Sequence, residues 1–109
     1  MGILPSVLVI DDEIRSQESL RRTLEEDFTV FTASSAQDGR TIMERESVQV
    51  VLCDQRMPET TGVEFLQEVR EQWPDTVRII ISGHTETQDI IAGINEAGIY
   101  QYILKPWHQ

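Results

Sequence analysis

The chain alternates, and that alternation limits its fold more than any other feature. Val7–Ile10, Phe28–Thr32, Val48–Asp54, Val77–Ser82 and Tyr100–Leu104 are short runs rich in β-branched and aromatic residues. Between them lie helix-length stretches with apolar residues on one arc. Ile14, Gln17, Leu20 and Leu24 fall together in a segment ending near Glu26. Ala33-Ser34-Ser35 supplies capping residues for a second helix, running to about Glu46. Phe65, Leu66, Val69 and Trp73 share a face in a third, closed by Pro74-Asp75, and Ile90, Ile94 and Ala97 form a stripe in a fourth, over Thr85–Ala97, with Gly98 as its C-cap. Strands and helices alternating at this spacing make βαβ units, and so a parallel sheet covered on both faces. The third and fourth runs are almost continuously apolar, as strands buried on both sides are.

Composition is consistent with one ordinary globular domain. A length of 109 residues, 39% of them apolar, buries a core without staples. The apolar runs fall far short of the roughly 20 residues a membrane helix needs. No basic-hydrophobic leader precedes the first strand, and Cys53 is the single cysteine, so a cytoplasmic setting is expected. A net charge of −10 opposes direct binding of nucleic acid, whose phosphates this chain would repel.

Parallel sheets of this type bind ligands beyond the carboxyl ends of their strands. Here the first strand ends in Asp11-Asp12, the third in Asp54, the fourth in Ser82-Gly83, and the fifth runs into Lys105. Singly, each reads as a turn or cap residue. Together they bring three carboxylates, a hydroxyl and an ammonium to one rim. Clustered carboxylates repel, and a divalent cation offsets that repulsion. An open, all-oxygen donor set suits Mg²⁺, which retains waters and takes one or two carboxylates plus phosphate oxygens. Cys53 precedes the rim and points away from Asp54, which leaves thiolate ligation out. Carboxylate, metal, hydroxyl and lysine form a kit for accepting a phosphoryl group, with an Asp as the nucleophile.

The segments VLVIDDE, VVLCDQRMPETTGVEFL, RIIISGH and YILKPW, in this order and spacing, resemble the receiver domain of two-component response regulators, the CheY-like family. DQRMP and INEAGIYQYILKPW most resemble receivers of the NtrC class, including hydrogenase-gene regulators. The resemblance implies a flavodoxin-like, doubly wound, five-stranded parallel sheet in the order 2-1-3-4-5. It implies Asp54 as phosphoacceptor from a sensor histidine kinase. Asp12 and Asp54 would be direct Mg²⁺ ligands with the backbone carbonyl of Arg56, and Asp11 would act through water. Ser82 and Lys105 would contact the phosphoryl group, with a cis peptide before Pro106. Ser82 and Tyr102 would form the switch that remodels the surface of the fourth helix and fifth strand; otherwise Tyr102 is a half-buried strand aromatic. Arg56 and His84 sit where the family tunes phosphate lifetime, or are simply solvated. Trp73 reads as core or helix-end packing, and the role of Trp107-His108 is open.

Receivers continue past Lys-Pro into a fifth helix, and this chain ends at Gln109. The expectation is a C-terminally truncated receiver over residues 1–109, its usual fifth helix and its output domain lying outside it. Transcriptional control is the expected output, through a likewise expected homodimer, with a cyclic-dinucleotide phosphodiesterase output as the alternative. A docking or dimerisation module active when unphosphorylated is a further reading. A phosphatase of the haloacid-dehalogenase type would want an acid two residues after Asp54, where Arg56 stands and cannot donate a proton at neutral pH, so the chain is not expected to be an enzyme.

Overall fold

The computed structural model describes residues 4–82 and the course of a strand at 101–104. Its elements are β1 (Ser6–Ile10), α1 (Ile14–Leu24), β2 (Thr29–Ala33), α2 (Ala36–Arg45), β3 (Val50–Asp54), α3 (Gly62–Gln72), β4 (Val77–Ser82) and β5 (Gln101–Leu104). The strands form one sheet in the order β2-β1-β3-β4-β5, every neighbouring pair parallel. The expected strand order and parallel pairing are therefore present. The helix expected over Thr85–Ala97 and the segment after Leu104 lie outside the described residues.

The pleat sorts the apolar residues by parity into two layers. Leu8, Ile10, Val51, Cys53 and Ile80 face one way, against Ala36 and Met43 of α2 and Val63, Phe65, Leu66 and Val69 of α3. Val7, Val9, Leu52 and Ile81 face the other, against Leu20 of α1. β1 and β3, at the centre, are buried on both sides, which is why their sequences do not alternate. Trp73 is half-buried against the α3 layer, as its place on the apolar stripe predicts.

The arc predicted for α1 is only partly a core stripe. Gln17 and Leu20 are buried, but Ile14 is 61% exposed at the first turn. Position 14 begins the helix just beyond the strand ends, where no sheet lies beneath it. Ser35 caps α2 by accepting from the Asp38 amide at 3.1 Å. Arg40 of α2 and Glu68 of α3 form a bidentate ion pair, its longer arm 2.9 Å, and the guanidinium lies over the Phe65 ring. Both side chains are part-exposed, so the pair adds about 0.5 kcal/mol, little beside the burial of Phe65.

The start of α3 carries a capping box. The Thr61 hydroxyl accepts from the Glu64 amide at 3.1 Å, and Glu64 accepts from the Thr61 amide at 3.0 Å. The Thr61 amide, and the Thr61 hydroxyl donating to Glu64 Oε1 at 3.1 Å, hold the exposed Glu64 carboxyl below its ordinary range. The ionised form is thus favoured by folding. That stabilisation is present above the unfolded glutamate pKa and fades as pH falls through the lowered one. Thr61→Ala should cost about 1 kcal/mol in urea denaturation and return the Glu64 titration, followed by NMR, toward the usual value.

Candidate functional site

Three strand ends and one loop build the rim. Asp11 follows β1 and is fully buried, with its amide donating to the Ala33 carbonyl at 3.0 Å and its Oδ1 accepting from the Glu13 amide at 2.9 Å. Asp12 is exposed beside it. Asp54 ends β3, 4% exposed. Carboxylate oxygens of Asp11, Asp12 and Asp54 all lie within 4.8 Å of one another. An adjacent pair at the end of β1 and a third carboxylate from the end of β3 thus offer one cluster of hard oxygen donors, two of them buried and one open to solvent.

Ser82 closes β4 one residue after Ile81, the register partner of Asp54. It is fully buried, and its hydroxyl has no hydrogen-bond partner among the described residues. Buried hydroxyls are nearly always satisfied, so one left open beside a carboxylate cluster points to a ligand. The donor set and this hydroxyl fit a hard divalent cation with a phosphoryl group.

Cys53 is fully buried on the far side of the strand, as its parity predicts. Burial pushes its thiol pKa well up, and the neighbouring Asp54 and Asp11 charges push it further, so it stays protonated and is neither ligand nor nucleophile.

The loop from β3 to α3 is fixed by Gln55. The Gln55 amide donates to the Ile81 carbonyl and its own carbonyl accepts from Gly62, each at 2.9 Å. Its side-chain oxygen accepts from the Val63 amide at 3.0 Å, which satisfies one of the open donors at the start of α3. Arg56 then bridges to Thr61 and is exposed to solvent. Within the loop, the Thr60 amide donates to the Pro58 carbonyl at 2.9 Å around Glu59, whose φ is 73°. This is a γ-turn of the rare strained type. Glu59→Gly should raise stability by about 1 kcal/mol, read as a shift in urea midpoint, because glycine takes that φ without a Cβ clash.

Lys105 and His84 lie outside the described residues, and of Tyr102 only the backbone is described, in β5 paired with Ile80 of β4. The structure thus brings together Asp11, Asp12 and Asp54 and places Ser82 on the adjoining strand end.

A doubly wound parallel sheet with an acidic cluster at the ends of β1 and β3 defines a class of α/β signalling and nucleotide-binding folds. Within it, the chain belongs to the response regulator receiver domain family, whose pattern it matches over residues 7–109. It is 68% identical over 102 residues to the hydrogenase transcriptional regulatory protein HoxA of Cupriavidus necator, a match covering 94% of this chain and 21% of that protein. Identity to HoxA of Bradyrhizobium diazoefficiens is 61% over 107 residues, covering 98% of this chain and 22% of that protein. The chain thus spans about a fifth of the length of these relatives. A response regulator receiver domain protein from Clostridium thermocellum superposes with a TM-score of 0.87 at 35% identity, over 96% of this chain and 85% of that one. No helix among the described residues is long and apolar enough to cross a membrane.

Proposed function

We propose that this chain is the phosphoacceptor module of a transcriptional regulator, taking a phosphoryl group from a sensor histidine kinase onto Asp54. The observation that carries this is the convergence of the Asp11, Asp12 and Asp54 carboxylates within 4.8 Å beside the open hydroxyl of Ser82. An Asp54 carboxylate oxygen attacks phosphorus, the bond from phosphorus to the kinase imidazole nitrogen breaks, and an acyl phosphate forms on Asp54. Magnesium held by Asp12, Asp54 and the backbone carbonyl of Arg56, with Asp11 acting through water, would offset the charge on the phosphoryl oxygens. Ser82 donates its hydroxyl to a phosphoryl oxygen, and Lys105 pairs with another. The chain is altered by the transfer rather than turning over a substrate, and the absence of an acid at Arg56 keeps hydrolysis slow.

Engaging Ser82 draws it toward the phosphate and lets Tyr102 of β5 move in behind, changing the surface that an output domain or a second copy of the chain reads. Arg56 and His84 at the mouth set how long the phosphate survives. The naming of both HoxA relatives as transcriptional regulators supports control of transcription as the output, carried by a domain beyond residues 1–109. Incubation with acetyl phosphate and Mg²⁺, followed by intact mass, should give one phosphate adduct on wild type and none on Asp54→Asn. An unmodified wild type would sink the proposal.

A further inference from the structure

Beneath the acidic pair lies a side chain that the phosphoacceptor chemistry does not use. Gln17 is on the buried side of α1 with Leu20 and is 7% exposed. Its Nε2 lies 2.6 Å from the Asp11 carbonyl, 3.0 Å from the Ser34 hydroxyl and 3.1 Å from the Ala33 carbonyl. An amide nitrogen has two protons for these three acceptors. The Asp11 carbonyl takes the shortest contact, while the Ala33 carbonyl already accepts from the Asp11 amide at 3.0 Å and Ser34 is exposed to water. The main customer of this buried donor is therefore the Asp11 carbonyl.

We propose that Gln17 is a positioning residue for the metal site, holding the Asp11–Asp12 peptide so that the Asp12 carboxylate is presented toward Asp54; this rests on the receiver reading above. A peptide unit is planar, so fixing the Asp11 carbonyl fixes the direction in which the chain enters Asp12. On the other side, Asp11 Oδ1 accepts from the Glu13 amide at 2.9 Å. Asp12 is thereby bracketed between two fixed points, although its own side chain is exposed. That restraint matters because the three carboxylates repel, and the solvent-facing one is free to swing away before a cation arrives. Groups behind metal ligands that orient them in this way control affinity without touching the ion. Gln17 is uncharged, so its effect on metal binding is geometric and not a change in the site's charge.

The test is calorimetric titration of Mg²⁺ alone into wild type, Gln17→Met, Gln17→Leu and Ser34→Ala, each checked for folding by circular dichroism. Gln17→Met and Gln17→Leu should bind Mg²⁺ about ten-fold more weakly, and Ser34→Ala within about two-fold of wild type. A Gln17 variant that is folded, less stable, and yet binds Mg²⁺ like wild type would overturn the proposal, since a purely structural glutamine predicts that result. Wild-type protein supplies a check that needs no variant to fold. The scalar coupling across the bond from Gln17 Nε2 to the Asp11 carbonyl should be visible by NMR, and its absence would overturn the proposal too. Wild type that fails to bind Mg²⁺ would instead bring down the receiver site itself, and the positioning role with it.

Discussion

Gly62→Ala should lower stability by about 2–3 kcal/mol, an unusual cost for adding a single methyl group. A Cβ on Gly62 would sit 2.5 Å from the Asp54 carbonyl oxygen, 2.5 Å from Ile80 Cδ1 and 3.0 Å from the Asp54 carbonyl carbon. Two of those atoms are backbone in the central strand and cannot step aside alone. The clash must push α3 off the sheet or twist the end of β3, and the end of β3 is Asp54. Gly39→Ala is the internal comparison. Its Cβ would meet Ile10 Cδ1 at 2.5 Å, but that is the tip of a flexible side chain, and the next contact is 3.2 Å. Alanine also favours the helix by up to about 1 kcal/mol, so Gly39→Ala should be close to neutral. Urea denaturation of the two variants side by side separates them. Equal stabilities would mean that α3 does not rest on the Asp54 backbone as described.

The second large effect concerns the cation. Wild type at a Mg²⁺ concentration about 100 times its Kd should gain about 2.7 kcal/mol of stability, because the ion binds the folded cluster and not the unfolded chain. Asp54→Asn should behave in the opposite way in both respects. Without metal it should be more stable than wild type, since one of three mutually repelling carboxylates within 4.8 Å has become neutral. With the same Mg²⁺ it should gain less than about 1 kcal/mol, since a ligand is gone. Thermal melts of both proteins with Mg²⁺ and with a chelator give all four values. Equal Mg²⁺ stabilisation of wild type and Asp54→Asn would place the ion elsewhere.

The sheet was legible because parity and β-branching are properties of short windows. The limits of β4 match at both ends, and the layer assignments of Cys53 and Asp54 follow from their being neighbours on a strand. The acidic cluster was legible for a topological reason: parallel strands place all their carboxyl ends on one rim, so Asp11, Asp12 and Asp54 had to meet if the strands were right. Details that depend on a partner distant in sequence were not. The helical arc groups Ile14 with Gln17 but cannot say that the sheet stops short of one and that three oxygens await the other. At Gly62 only the packing of α3 against β3 reveals that space is the constraint. Gln55 and Glu59 are ordinary loop residues in sequence, and their roles appear once the loop closes on Gly62 and Val63. β3 starts later than its apolar run, at Val50, although Val48 is still buried.

Whether Asp54 forms the acyl phosphate is decided by locating the modification rather than counting it. Wild type treated with acetyl phosphate and Mg²⁺, then reduced with borohydride and digested, should yield homoserine at position 54 and aspartate at positions 11 and 12. Unreduced aspartate at position 54, with the phosphate traced to another residue or never acquired, would mean that Asp54 is not the phosphoacceptor.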